Sequence, residues 1–101
     1  MANGTIHAQN NPESWKTNGD LNYRKCGNLV EISCRVNSKS DGTLLGTLPQ
    51  GYRPADYILI ANSLNPDYTR AQIDFETGKV LFQNGTGVAV NVRIHEMFFA
   101  N

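Results

Sequence analysis

The stretch Asn28-Leu29-Val30-Glu31-Ile32-Ser33-Cys34-Arg35-Val36 decides the fold class. Val30, Ile32, Cys34 and Val36 fall on alternate positions, and Glu31, Ser33 and Arg35 fill the gaps. Side chains along a strand point to opposite faces with a period of two, so the stretch reads as a half-buried strand, apolar face inward. A helix needs apolar residues at i, i+3, i+4 and i+7, and no window of the chain keeps that spacing for three turns.

The same alternation recurs on either side of this stretch, broken by turns roughly every eight to twelve residues. Asp41-Gly42 supplies one turn, and Thr43 to Leu48 lead into a corner at Leu48-Pro49-Gln50-Gly51. Pro49 fits the second position and Gly51 the fourth of a type I turn, with Tyr52 covering the corner and Arg53 held extended by Pro54. Tyr57 to Ala61 is apolar on both faces, as in a strand that is central or covered on its second side. Asn62 to Tyr68 reads as a loop. In the next strand Ala71, Ile73 and Phe75 face inward while Arg70, Gln72 and Asp74 face out. Gly78 closes a tight turn, Val80 to Gln83 return, and the last strand sets Val88, Val90, Val92 and Ile94 against Asn91, Arg93 and His95. The expected architecture is all-β: a single antiparallel β-sandwich over residues 15–101 with about seven or eight strands and little or no helix, preceded by a linker over residues 1–14.

Bulk properties narrow the function classes. The 101 residues suffice for one modest core. Nine basic and nine acidic residues cancel, so the dense positive field that duplex nucleic acid requires is missing. An OB-type single-strand binder would also want a net basic groove. Apolar runs are far shorter than the roughly 20 residues that cross a bilayer. The first residues carry no basic segment followed by an apolar one, and the expectation is a soluble protein made in the cytoplasm. Cys26 and Cys34 lie at the ends of one continuous strand or of a strand broken at Gly27. A continuous strand sets them about 26 Å apart, too far for a disulfide, and buried thiols are expected. With His7 and His95 remote from them and no CxxC, no metal or cofactor is expected.

Catalysis finds little footing. Asp67, Asp74 and Glu76 flank turns, where acids solvate or cap. His95 could serve as a base but sits on the outer face of a strand, Ser33 and Cys34 lack a nucleophile elbow, and the Gly85-Thr86-Gly87 turn precedes no helix. Binding fits better. Small β-domains hold saccharides by stacking an aromatic ring on the sugar while nearby polar groups bond its hydroxyls. Trp15 in a polar loop, with Asp67, Tyr68, Arg70, Arg93 and His95, has that chemistry, although a packing plug is the plainer reading of Trp15. Leu29, Leu45, Leu81, Met97 and Phe99 fall on the outward side of their strands. A second buried surface, at an oligomer interface or beneath the first segment, would account for them.

The order of segments adds a further reading. Tyr23-Arg24-Lys25-Cys26-Gly27-Asn28-Leu29-Val30, then Thr47-Leu48-Pro49-Gln50-Gly51-Tyr52-Arg53-Pro54, then Ile73-Asp74-Phe75-Glu76-Thr77-Gly78-Lys79-Val80, and a final strand ending Met97-Phe98-Phe99-Ala100-Asn101 resemble the C-terminal, receptor-binding domain of bacteriophage tail-fibre and baseplate proteins. The resemblance spans Trp15 to Asn101. It implies a jelly-roll β-sandwich forming a homotrimer at the tail tip of the virion, non-enzymatic, with other tail or baseplate proteins and host cell-wall polysaccharide or teichoic acid as partners. No motif residue carries a sugar-binding role across by position. The alternatives are a trimerising or capping domain without ligand, and a carbohydrate-binding module of a cell-wall hydrolase.

Overall fold

The computed structural model of the chain describes residues 11–37, 41–61, 69–84 and 91–101. They form strands β1 (Lys16–Asn18), β2 (Leu21–Cys26), β3 (Leu29–Asn37), β4 (Thr43–Thr47), β5 (Ile58–Ala61), β6 (Thr69–Ile73), β7 (Lys79–Asn84) and β8 (Asn91–Phe99), with no helix among the described residues. The strands make two antiparallel sheets, ordered β1-β2-β3-β8 and β4-β7-β6-β5.

One core joins the two sheets. Val30, Ile32, Cys34 and Val36 are fully buried, as their alternation requires, and they share one core with Leu45, Ile73, Val80 and Phe82 of the second sheet and with Leu48 just past β4. Each large side chain buried this way contributes roughly 1.5–3 kcal/mol. Both faces of each sheet thereby acquire a defined role: one packs inward, and the other is available to solvent or partners.

Of the two readings of Cys26 to Cys34, the structure takes the strand broken at Gly27: the chain turns at Gly27-Asn28 into a hairpin, so β2 and β3 lie side by side with Arg24 opposite Glu31 and Asn22 opposite Ser33. Several other elements depart from the expected pattern. The half-exposed Cys26 shares the outer face with Arg24, while Cys34 is in the core, and both are thiols. Leu45 is not an outward residue. A β-bulge between Leu44 and Gly46 inserts one extra residue, which turns Leu45 into the core at 1% exposure and leaves Leu44 outside at 49%. Among the described residues β5 lies at the edge of its sheet, paired with β6, and not at its centre. Phe75 lies beyond the end of β6, its ring edge-on to Tyr57 at 5.2 Å.

The corner after β4 is architectural. Tyr52 N–H donates to the Pro49 carbonyl, and Gly51 takes φ 90°, the positive value wanted at the third position of a type II turn. The turn therefore begins at Pro49, one residue later than the composition suggests. Arg53 donates to the carbonyls of Leu48 and Glu76, both at 2.9 Å, and so ties the corner to the β6–β7 turn. Gly78 in that turn has φ 78°, and a β-carbon there would strike the Leu48 carbonyl and Arg53. Tyr52 hydroxyl donates to the Glu13 carboxylate at 2.8 Å, which holds that carboxyl below its ordinary range and pushes the phenol up. Ala100 bridges to Pro54, and Asn101 N–H donates to the Arg53 carbonyl, so the end of the chain is fastened at the same corner.

Candidate functional site

The outer face of the β1-β2-β3-β8 sheet carries the polar half of the alternation in three adjacent strands. β2 contributes Asn22 and Arg24, β3 contributes Glu31, Ser33 and Arg35, and β8 contributes Arg93, His95 and Met97. Register turns these into rows: Asn22, Ser33 and His95 in one, Arg24, Glu31 and Met97 in the next, Arg35 and Arg93 in a third.

Trp15 lies immediately before β1, beside this face. It is 44% exposed, so it is no plug in the core, and the Arg24 guanidinium sits over its ring at 4.2 Å. That contact is a cation–π interaction, which fixes the indole against β2 and leaves nearly half of its surface open. Together Trp15, Asn22, Ser33 and Arg93 line a recess of about 300 Å³. This is at the small end of the range for ligand pockets.

Glu31 organises the floor beside the recess. One carboxylate oxygen accepts from Arg24 Nε at 2.8 Å, and the other meets His95 Nε2 at 2.5 Å. The hydrogen bond from His95, and after it the one from Arg24, holds the Glu31 carboxyl below the ordinary glutamate range. Ser33, though on the outer face, is only 5% exposed, and its hydroxyl accepts from Arg93 Nη2 at 3.0 Å. Ser33, His95 and Glu31 are neighbours, but the serine hydroxyl is engaged by an arginine and His95 turns Nε2 to Glu31. Serine activation requires the imidazole on the hydroxyl, and here Ser33 meets Arg93 instead.

Of the candidate saccharide contacts, Trp15, Arg93 and His95 therefore share one face. Arg70 does not join them. It alternates with buried Thr69 and Ala71 on β6, which aims it at the outer face of the opposite sheet, a full sheet spacing of roughly 10 Å or more away. Asp67 and Tyr68 lie outside the described residues. Asn22, Arg24, Glu31 and Ser33 escape a linear reading because their role depends on the β2–β3 register. A two-residue turn at Gly27-Asn28 was the available signal, since it alone sets Arg24 opposite Glu31.

The outward apolar residues divide between the two sheets. Leu29 is opposite Phe99 at the far end of the Trp15 face, with Met97 beside them. Phe99 is 72% and Met97 52% exposed. Leu81 is half-buried on the other outer face, opposite Leu44. Among the described residues no group of histidine, cysteine, aspartate and glutamate is placed to hold a metal ion. No helix among them is long and apolar enough to cross a membrane.

Comparison with protein-family models and with curated proteins finds no match to this chain.

Proposed function

We propose that the chain is a non-catalytic saccharide-binding domain of a bacteriophage tail fibre or baseplate, attaching the virion tail tip to the host cell wall as a homotrimer. The observation that carries this reading is Trp15. A half-exposed indole at a small recess, with Asn22, Ser33 and Arg93 as hydrogen-bonding neighbours, is the combination that grips a sugar: ring against C–H face, polar groups to hydroxyls. A recess this small gives weak single contacts, and several copies on one fibre convert them to firm attachment.

The strand pairing supports the jelly-roll form of the sandwich. β3 pairs with β8, β4 with β7 and β5 with β6, a nested set that a long folded-over hairpin produces when it rolls up. Leu29, Met97 and Phe99 supply apolar surface for the threefold contact. Ser33 and Leu29 are four residues apart on β3, roughly 13 Å, while Met97 stands one row from the recess, roughly 7 Å along β8. A contact centred on Leu29 and Phe99 would leave the Trp15 recess open. The same apolar residues favour a second reading, a trimerising or capping domain that meets no ligand.

Trp15 is the chain's only tryptophan, so its fluorescence reports on the recess directly. Titration with fractionated cell-wall polysaccharides is expected to shift the emission, and Trp15→Ala should weaken wall binding at least tenfold, about 1.4 kcal/mol. A trimer that binds no fraction would establish the capping reading, and wall binding unaffected by Trp15→Ala together with Arg93→Gln would remove the site.

A further inference from the structure

Charge on the Trp15 face is unevenly spent. Glu31 is fully used by Arg24 and His95. Arg35 and Arg93, by contrast, are directly opposed across β3 and β8, both exposed, and neither meets a carboxylate among the described residues. The pairing phase makes this worse for them. Ala100 N–H donates to the Asn28 carbonyl, so even-numbered positions of β8 direct their backbone groups at β3 and odd-numbered ones do not. Arg35 and Arg93 are therefore a non-hydrogen-bonded pair, the kind in which the Cα atoms approach to about 4.5 Å and side chains are closest. Like charges so placed repel.

Position gives this pair a use. Arg93 lines the recess, held to its wall through Nη2 on Ser33, and among the described residues its side chain has no other hydrogen-bond partner. Arg35 stands directly across from it, one outward position beyond Ser33. An anion seated between the two would relieve their repulsion and could be gripped by two planar forks at once. In a chain whose net charge is zero, this is a local positive site built at the mouth of an aromatic recess.

We infer that the ligand of this recess is an anionic saccharide, its ring against Trp15 and its carboxylate or phosphate between Arg93 and Arg35. This rests on the saccharide reading above and specifies the charge of the unit bound. The shared chemistry is a sugar or sugar alcohol bearing one negative group. A uronic acid and a polyol phosphate are its two sources.

The test is a titration of the full chain with sodium glucuronate, glycerol 1-phosphate, glucose and inorganic phosphate, following the Trp15 indole and the arginine Nε resonances by NMR. Glucuronate, glycerol phosphate or both should move the signals of Trp15, Arg93 and Arg35 together, and whichever does so more tightly identifies the source. Arg35→Gln should weaken that binding about tenfold, as loss of a charge-assisted contact implies, and leave the weaker response to glucose in place, whereas Arg93→Gln, which alters the recess wall, should weaken the charged probes and glucose alike. Glucose matching both charged probes, with the arginine signals still, would overturn the inference and keep the saccharide reading. Inorganic phosphate binding as tightly as either charged probe would overturn it as well, because the indole would then contribute nothing. Silence of Trp15 towards every probe would sink both readings.

Discussion

At the scale of single residues, Glu31 sets the form of the recess floor. It is the carboxylate among the paired strands of a face that also carries Arg24, Arg35, Arg93 and His95, and it takes a hydrogen bond on each oxygen. Its carboxyl is held below the ordinary range, chiefly by His95, so the folded state favours the ionised form. The sign follows from linkage: the contribution is present above the unfolded glutamate value of about 4.3, and is lost as pH falls through the lower folded value. Glu31→Gln should therefore lower stability by about 1 kcal/mol at pH 7, where both bonds are charge-assisted, and abolish that part of the acid-induced loss. Urea denaturation of the two proteins at pH 7 and pH 3 measures it. A variant that tracks the parent in parallel at both pH values would show that Glu31 stabilises nothing. The same substitution releases Arg24, whose guanidinium fixes Trp15, so weaker ligand binding should accompany it.

At the scale of elements, alternation in Val30 to Val36 was enough to read the core strand and its polar face, and with it the positions of Arg93 and His95 on a matching face of β8. Two things were not legible. The bulge at Leu45 breaks alternation by one residue, and Leu44-Leu45 is equally apolar whichever way it turns, so composition could not choose. The β3–β8 pairing joins segments some sixty residues apart, and no turn sets its register. Among the described residues, that pairing also leaves β8, nine residues long, at the end of its sheet with no strand on its far side. Long free edges invite strand addition, and an inward-facing charge is a common guard. Glu96 occupies the core-facing register between Ile94 and Phe98, and its carboxylate accepts from the Met97 N–H at 3.0 Å. Met97 is an odd-numbered position, so this N–H is one of the groups an added strand would need. Glu96→Val should keep the fold and produce open-ended association that grows with concentration in sedimentation velocity. An unchanged mass distribution across the same range would show the edge is guarded by something else.

For the whole molecule, the question is what covers the apolar end of the Trp15 face. Phe99, Met97 and Leu29 are clustered, and a lone Phe at 72% exposure is unremarkable only when its neighbours are polar. In a closed trimer each copy would present this patch near the axis, while the recess, roughly 13 Å along β3, would face outward. Sedimentation equilibrium should then give three times the 11.2 kDa chain mass at micromolar concentration. The double variant Met97→Ser, Phe99→Ser should shift it to one chain while the far-ultraviolet spectrum stays that of a β-protein. Both side chains point away from the core, so their loss should cost the monomer little, and a fall in mass would report the interface and not unfolding. Neither Met97 nor Phe99 lines the recess, so single-site affinity for a small saccharide should survive in the monomer while adhesion to whole cells falls by ten- to a hundredfold or more, as loss of linked sites dictates. A parent chain that is monomeric at all concentrations would leave the patch without a threefold partner and the attachment without its multiplicity.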